Sequence, residues 1–530
     1  MAVTQSPGAE MPRPTQSIQR QTVLRYALSW WECVVRALFS VLCLRFIVAT
    51  ALEAASSQNL PTMIVLGLGV LALALLQSEW ALFAFLCAVP ALNGIGLLGL
   101  TGTVEPLPFA FSCAMIGLLL NQLRRQVNGG GGLLRNFSEH GNPGGSGTLW
   151  GGVVVGRAIA LFLMTAILLS FAKQLTLWGC SDRAFWTQAT FGWADGRYFV
   201  TSAFIWLSGL YVFLECSSKV TWLNRSWKVL LVSWAVAILV FFSIQYWLQM
   251  PEPLVLWPYQ GRSFSHGYSA PFDDMHSFGS ILVCLLGVFL WLVEWRRGPR
   301  LLALACFSTL LMMIILSYGR ANWVVGACLI FAWAARRLPK WATLGMIVIV
   351  AVSVVWINFE TTQSAWVGQS YRYRLYSLVR LEAPTVKLSS RLFMFHKARE
   401  AIETHPIAGL GIGEFYSHSP QYALDGDPLA QKMDFAHDMF LQFTSEIGVP
   451  CGLLLAILIL HALWPGFRGS ALGCPQGRLR LGLAIGICGY LATQLTAHAL
   501  NIYFSNQMLI WALIGIVAAG RREGPEANER

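Results

Sequence analysis

The chain has 530 residues, of which 56% are hydrophobic and only 12% charged, and its mean hydropathy is +0.57. Soluble domains carry about 25% charged residues, so this composition excludes a soluble multidomain enzyme and points to an integral membrane protein with room for roughly a dozen spans of ~20 residues. The net charge of +11 would suit nucleic acid, but the basic residues sit in short clusters between apolar runs, as in cytoplasmic membrane loops, and nucleic acid is set aside as a partner.

Residues 1–28 are polar and rich in Pro, Gln and Ser. They are too long and too polar for the first part of a cleaved signal peptide, and they read as a disordered cytoplasmic tail. Apolar runs follow at 33–52, 60–77, 80–100, 106–123, 151–171, 199–216, 229–248, 278–295, 301–316, 321–335, 341–359, 439–464, 481–500 and 507–520. The expected fold is all-α: a polytopic membrane helical bundle of 12–14 transmembrane helices, with a large outer loop that contains amphipathic helices. The bundle divides into 29–359 (the first eleven spans), the loop at 360–437, the C-terminal helices at 438–520 and a cytoplasmic tail at 521–530.

Loop charges test this segmentation. With the N-terminus inside, fourteen spans place Arg124/Arg125/Arg135, Lys219/Arg225/Lys228, Arg296/Arg297/Arg300, Arg336/Arg337/Lys340, Arg468/Arg478/Arg480 and Arg521/Arg522 all on the inner side, as the positive-inside rule expects. The same parity puts 172–198, 249–277, 317–320 and 360–438 outside. The inner loop at 124–149 contains GGGG at 129–132 and reads as a flexible linker; it lacks the Gly-Lys-Ser/Thr ending of a phosphate loop. Arg36, Arg157, Glu215 and His498 lie within apolar runs and are expected to pair across helices or reach the interface. The 12 Cys show no CxxC and no metal spacing, and read as small apolar residues.

The candidate chemistry is concentrated on the outer side. Arg262 lies in GRSFSHGYSAPFDDMH, ahead of a span, and Arg320 in SYGRANW, a tight turn between two spans. An arginine at membrane depth needs an anionic partner and suits phosphate, or else it snorkels to lipid headgroups; the residues alone leave both readings open. His266, Asp273, Asp274 and His276 have a metal-like composition but match no specific metal spacing. The interval 360–437 is too long to be a mere connection. Within it, Tyr371, Arg372 and Arg374 in YRYRLY could grip sugars and phosphates or form an interfacial belt. From 390 to 404, Leu392, Phe395, Ala398 and Ile402 fall near helical spacing, so an amphipathic helix lying on the membrane plane is expected, ended by Pro406 and a glycine turn. His437, followed by Asp438, opens the next apolar run; an imidazole there either takes a proton from a hydroxyl or simply caps a helix.

SRLFMFHKAREAIETHPIAGLGIGEF followed by HDMFLQFTSEIGVPCGLLL resembles the signature region of the O-antigen ligase and O-antigen polymerase superfamily, which reads Ser-Arg, an aromatic helix, His-Pro, Gly-x-Gly-x-Phe, then His-Asn-x-x-Leu-Gln-x-x-x-Glu-x-Gly. SYGRANW resembles its Ser-Arg turn, with Gly319 where Ser is usual, and Asp438 stands for the usual Asn. The segment around Arg262 resembles its Arg-x-x-Gly element, with His276 where Asn is common. The likeness covers roughly 250–460. It implies a metal-independent, inverting glycosyltransferase of the bacterial inner membrane, without a cofactor, acting at the periplasmic face. It also implies an undecaprenyl-diphosphate-linked glycan donor and a glycan, lipid or protein acceptor, in lipopolysaccharide or exopolysaccharide biosynthesis. Arg262 and Arg320 would bind the diphosphate and His437 would activate the acceptor hydroxyl. Arg391, Tyr371, Arg372, Arg374, Asp438 and His276 would complete the substrate contacts. Ligase and polymerase both fit. A flippase for the same lipid would want charges along a central cavity, whereas here they cluster outside.

Overall fold

The computed structural model describes residues 16–56, 60–76, 78–97, 106–128, 149–178, 198–218, 227–247, 271–292 without 273, 300–337 without 318, 386–423, 433–468, and 475–519 without 496 and 498, with 339, 345 and 431 as single positions. Every helix and turn below belongs to these residues. No strand occurs among them, and the chain is an all-α, multi-pass membrane bundle.

The helices are α1 (Gln16–Ser56), α2 (Leu60–Leu76), α3 (Ser78–Leu97), α4 (Pro106–Asn128), α5 (Leu149–Trp178), α6 (Tyr198–Ser218), α7 (Trp227–Trp247), α8 (Met275–Leu292), α9 (Arg300–Leu316) and α10 (Arg320–Arg337). They continue with α11 (Val386–Thr404), α12 (Phe415–His418), α13 (Met439–Ile447), α14 (Val449–Arg468), α15 (Pro475–Gln494), α16 (Ala499–Ile502) and α17 (Phe504–Ala519). Ala27–Ala55, Val154–Leu177, Tyr198–Ser218 and Val449–Arg468 are long and apolar enough to cross a membrane, and shorter apolar helices accompany them. Helix α6 is buried along nearly its whole length; being apolar on every side, it sits at the centre of the bundle. Between α8 and α15 the backbones touch: a Cβ on Gly287 would lie 2.6 Å from the Gly486 Cα. Apolar lipid gives helices no hydrophobic reason to associate, so small residues that permit close van der Waals contact supply one.

The charges inside the apolar runs pair as expected where they are described. Arg36 meets Glu32 at 2.5 Å and Glu215 at 2.6 Å, Arg157 meets Glu32 at 2.7 Å, and Arg36 also donates to the Tyr211 hydroxyl at 3.1 Å. The group joins α1, α5 and α6 with two charges of each sign, so no net charge is left buried. His498 lies outside the described residues.

Four expectations change. Helix α1 begins at Gln16, so 16–28 is helical rather than disordered; after Pro14 the segment holds Gln, Arg, Leu and Ala, which favour a helix continuing out of the span. The apolar run at 439–464 is two helices broken at Gly448, whose φ of 94° and contact with the Ile407 carbonyl exclude a side chain there. The run at 481–500 stops at Gln494, whose Oε1 accepts the Leu500 N–H at 3.1 Å. In α11, Met394, Lys397, Ala398 and Ala401 are buried while Leu392 is 52% exposed. The small residues Ala398 and Ala401 let this helix pack on Phe415 and Ala436, so its inner face is set by protein and not by lipid. The run at 341–359 falls outside the described residues, apart from position 345.

Candidate active site

Arg320 is the first residue of α10 and is half-buried. Arg391, in α11, sits close enough to feel its charge: burial and the Arg320 guanidinium together hold the Arg391 pKa below its ordinary value. Two like charges gathered in a partly buried place are an arrangement that suits an anion. The turn before α10 is shaped by Asn322, which is 2% exposed. A Cβ on either Gly279 or Gly319 would collide with its Nδ2. This accounts for Gly319, the departure from the usual Ser: a side chain there would have to displace the buried Asn322. Asn322 Oδ1 lies 3.3 Å from the Ser280 hydroxyl, which donates to the His276 carbonyl at 2.7 Å and accepts from Thr493 at 2.7 Å. Helices α8, α10 and α15 are thus pinned together behind Arg320.

His276 lies in the first turn of α8. Its N–H donates to Asp274 Oδ2 at 2.9 Å, and the Ser277 N–H does so at 3.3 Å. Asp274 is therefore the N-cap of α8, the ordinary use of an aspartate at this position. Asp273 and His266 lie outside the described residues, as do Arg262, Tyr371, Arg372 and Arg374.

His437 has φ 55°, the left-handed conformation that non-glycine residues seldom adopt, and among the described residues it is the one non-glycine that does so. Its Nε2 lies 3.4 Å from Asp434 Oδ1. Asp438, the carboxylate next to it in sequence, caps α13 instead, accepting the Leu441 N–H at 2.8 Å. Burial raises the Asp438 pKa against that hydrogen bond. An Asp directly before an apolar helix is an N-cap signature; the carboxylate three residues before His437 carries no comparable local signal.

Sequence reasoning passed over the joint between the two halves of the signature. Gly409, Gly411 and Gly413 all have positive φ, and the turn they form lies against α13. Leu410 N–H donates to the Ser445 carbonyl and Gly411 N–H to the Glu446 carbonyl, both at 2.9 Å. Gly413 N–H donates to Glu446 Oε2 at 2.9 Å, and Gln442 Nε2 to Glu446 Oε1 at 3.1 Å. Burial pushes the Glu446 pKa up to about 8, with the nearby Glu414 charge adding to the rise and the two N–H donors opposing it. Glu414 is buried as well and its Oε2 lies 3.3 Å from His418 Nδ1, a hydrogen bond that raises the His418 pKa. The available signal was a lone glutamate inside an otherwise apolar run, which is expensive unless it has a task.

Helix α11 connects these parts. Its first half brings Arg391 to Arg320, and its second half packs Ala398 and Ala401 against Ala436, the residue before His437. One rigid element therefore holds both the cationic pair and the histidine loop in register. Residues 305–457, which run from α9 into α14 and take in Arg320, Arg391, His437 and Glu446, match the family model described as O-antigen ligase. A search of the curated proteins found no match. The domain at 305–457, which holds the arginine pair and the strained histidine, is thus similar to the O-antigen ligase family and supports a place in the O-antigen ligase and polymerase superfamily.

Proposed function

We propose that the chain is a ligase-type glycosyltransferase of the bacterial inner membrane. It transfers a glycan from an undecaprenyl-diphosphate donor to an acceptor hydroxyl at the periplasmic face. The observation that carries this reading is the juxtaposition of Arg320 and Arg391 at the first residue of α10. A diphosphate leaving group develops negative charge as the anomeric C–O bond breaks, and two guanidiniums fixed in advance stabilise that charge where it appears. Arg262 is proposed as a third cation for the same group. The acceptor oxygen attacks the anomeric carbon from the opposite face, so the configuration inverts. Its proton passes to His437, and Asp434, 3.4 Å away, stabilises the imidazolium that forms. The diphosphate departs with the bonding electron pair. Tyr371, Arg372, Arg374 and His276 are proposed to line the donor glycan.

The direct test is purified full-length protein given an undecaprenyl-diphosphate-linked glycan and a panel of sugar acceptors. Glycan transfer with stoichiometric release of undecaprenyl diphosphate is expected. Absence of release, or release that Arg320→Ala leaves unchanged, would overturn the reading. Because the arginines supply the positive charge, activity is expected to survive a chelator; loss that magnesium or manganese specifically restores would refute metal independence.

A further inference from the structure

Four aromatic rings from four separate stretches of the chain meet in one cluster that takes in the chain just before His437. Tyr198 opens α6, Tyr416 lies in α12, Phe435 is two residues before His437, and Tyr503 joins α16 to α17. Phe435 sits 4.8 Å from Tyr416 and 5.7 Å from Tyr198, centroid to centroid. Phe435 and Tyr198 are buried and make a floor; Tyr416 and Tyr503 pack on it and keep part of their surface exposed. Behind them, the Tyr198 hydroxyl donates to the main-chain oxygen of Asn501 at 3.4 Å. The Asn501 side chain is 2% exposed, yet both its Nδ2 and its Oδ1 lack a hydrogen-bond partner.

A buried carboxamide with donor and acceptor both empty is unusual, because such groups are normally satisfied. A hydroxyl group answers both needs, since it donates and accepts at once. A pyranose ring combines hydroxyls on its rim with an apolar C–H face, and aromatic rings bury apolar faces well. An interfacial aromatic belt would account for part-exposed tyrosines, but not for an unpaired carboxamide on the residue whose main chain receives the Tyr198 hydroxyl.

We infer that Tyr416 and Tyr503, backed by Phe435, Tyr198 and Asn501, form the subsite for the acceptor's sugar ring and present one of its hydroxyls to His437. This rests on the transferase reading above and names the acceptor side of the same site. It also implies that the group glycosylated is carried on a carbohydrate, not on a protein side chain.

The test uses the full chain in detergent with methyl β-glucoside and methyl β-galactoside as probes, read by saturation-transfer NMR. The wild type should transfer saturation to the C–H protons of one ring face. Tyr416→Ala and Tyr503→Ala should each weaken this about fivefold, the scale of losing one packed ring. Tyr416→Phe should retain it, which separates ring loss from misfolding. Binding of farnesyl diphosphate, a donor mimic, should not change in the tyrosine variants. No saturation transfer to either glycoside, or equal transfer in the wild type and both alanine variants, would overturn the subsite. Farnesyl diphosphate binding that ignores Arg320→Ala would instead count against the donor assignment, and the glycoside result would still decide the subsite.

Discussion

Holding a Cβ-bearing residue at φ 55° costs on the order of 1–3 kcal/mol, and such strain persists where the surroundings over-determine it. Around His437 those constraints are the Asp438 cap on one side and the Asp434 contact on the other. Relief of strain and loss of a base can therefore be separated. His437→Ala should lower turnover by about 10²–10⁴-fold, the usual scale for a general base, with donor affinity nearly unchanged. His437→Gly should be equally inactive but unfold at a higher temperature than the alanine variant, because glycine is at ease with positive φ. Near-normal turnover in either variant, or a loss fully explained by weaker donor binding, would remove the base assignment. Arg320 should behave differently: Arg320→Ala is expected to impair donor binding and turnover together, and Arg320→Lys to restore only part, since an ammonium cannot form the same fork. Full rescue by lysine in a donor-binding titration would argue for a simple point charge.

At the scale of elements, the glycine turn and α13 behave as one unit because Glu446 fastens them at Gly413. A carboxyl raised from 4.5 to about 8 keeps its proton in the folded protein after the unfolded chain has lost it. Between these values the folded state binds more protons, so stability falls as pH rises from 4.5 towards about 8 and then levels. Glu446→Gln keeps an acceptor for the Gly413 N–H but cannot ionise, and should flatten that slope in thermal unfolding measured across the window. A variant slope equal to that of the wild type would mean that Glu446 does not titrate there. Glu446→Ala should cost about 1–3 kcal/mol below pH 4.5, because it strands a buried N–H, and less as pH rises towards about 8, because alanine does not share the loss that ionisation of Glu446 brings. This joint also accounts for the Leu-Gln-x-x-x-Glu spacing: Gln442 and Glu446 stand one turn apart on α13, so the first can hold the second.

At the scale of the molecule, the Glu32–Arg36–Glu215–Arg157 group belongs to the N-terminal helices, whereas the candidate site belongs to α8, α10, α11 and α13. By the charge-based topology the two lie towards opposite membrane faces. We propose that both termini are cytoplasmic and that 360–437 is periplasmic. Single cysteines placed at 130 and at Gln421, in a background without native cysteines, should distinguish the faces in intact cells. A membrane-impermeant thiol reagent should label the second and not the first; labelling at 130 from outside would reverse the topology.

The class of the protein was legible in the sequence because hydropathy and loop charge are sums over neighbours, and neighbours in sequence suffice to compute them. Residue-level signals of the same local kind marked Arg320 and His437, each a polar group at the edge of an apolar run, whereas Arg391 was named only through the family resemblance. Tertiary structure alone decided that Asp434, and not Asp438, faces the histidine, that Gly448 breaks an unbroken apolar run, and that α11 turns Ala398 inward while leaving Leu392 out. It also decided that Gly413 and Glu446 are partners and that four distant aromatic residues share one spot. Periodicity shows that a helix has an inner face but not what will cover it, because that choice depends on the path of the chain between segments, and local composition carries no record of that path.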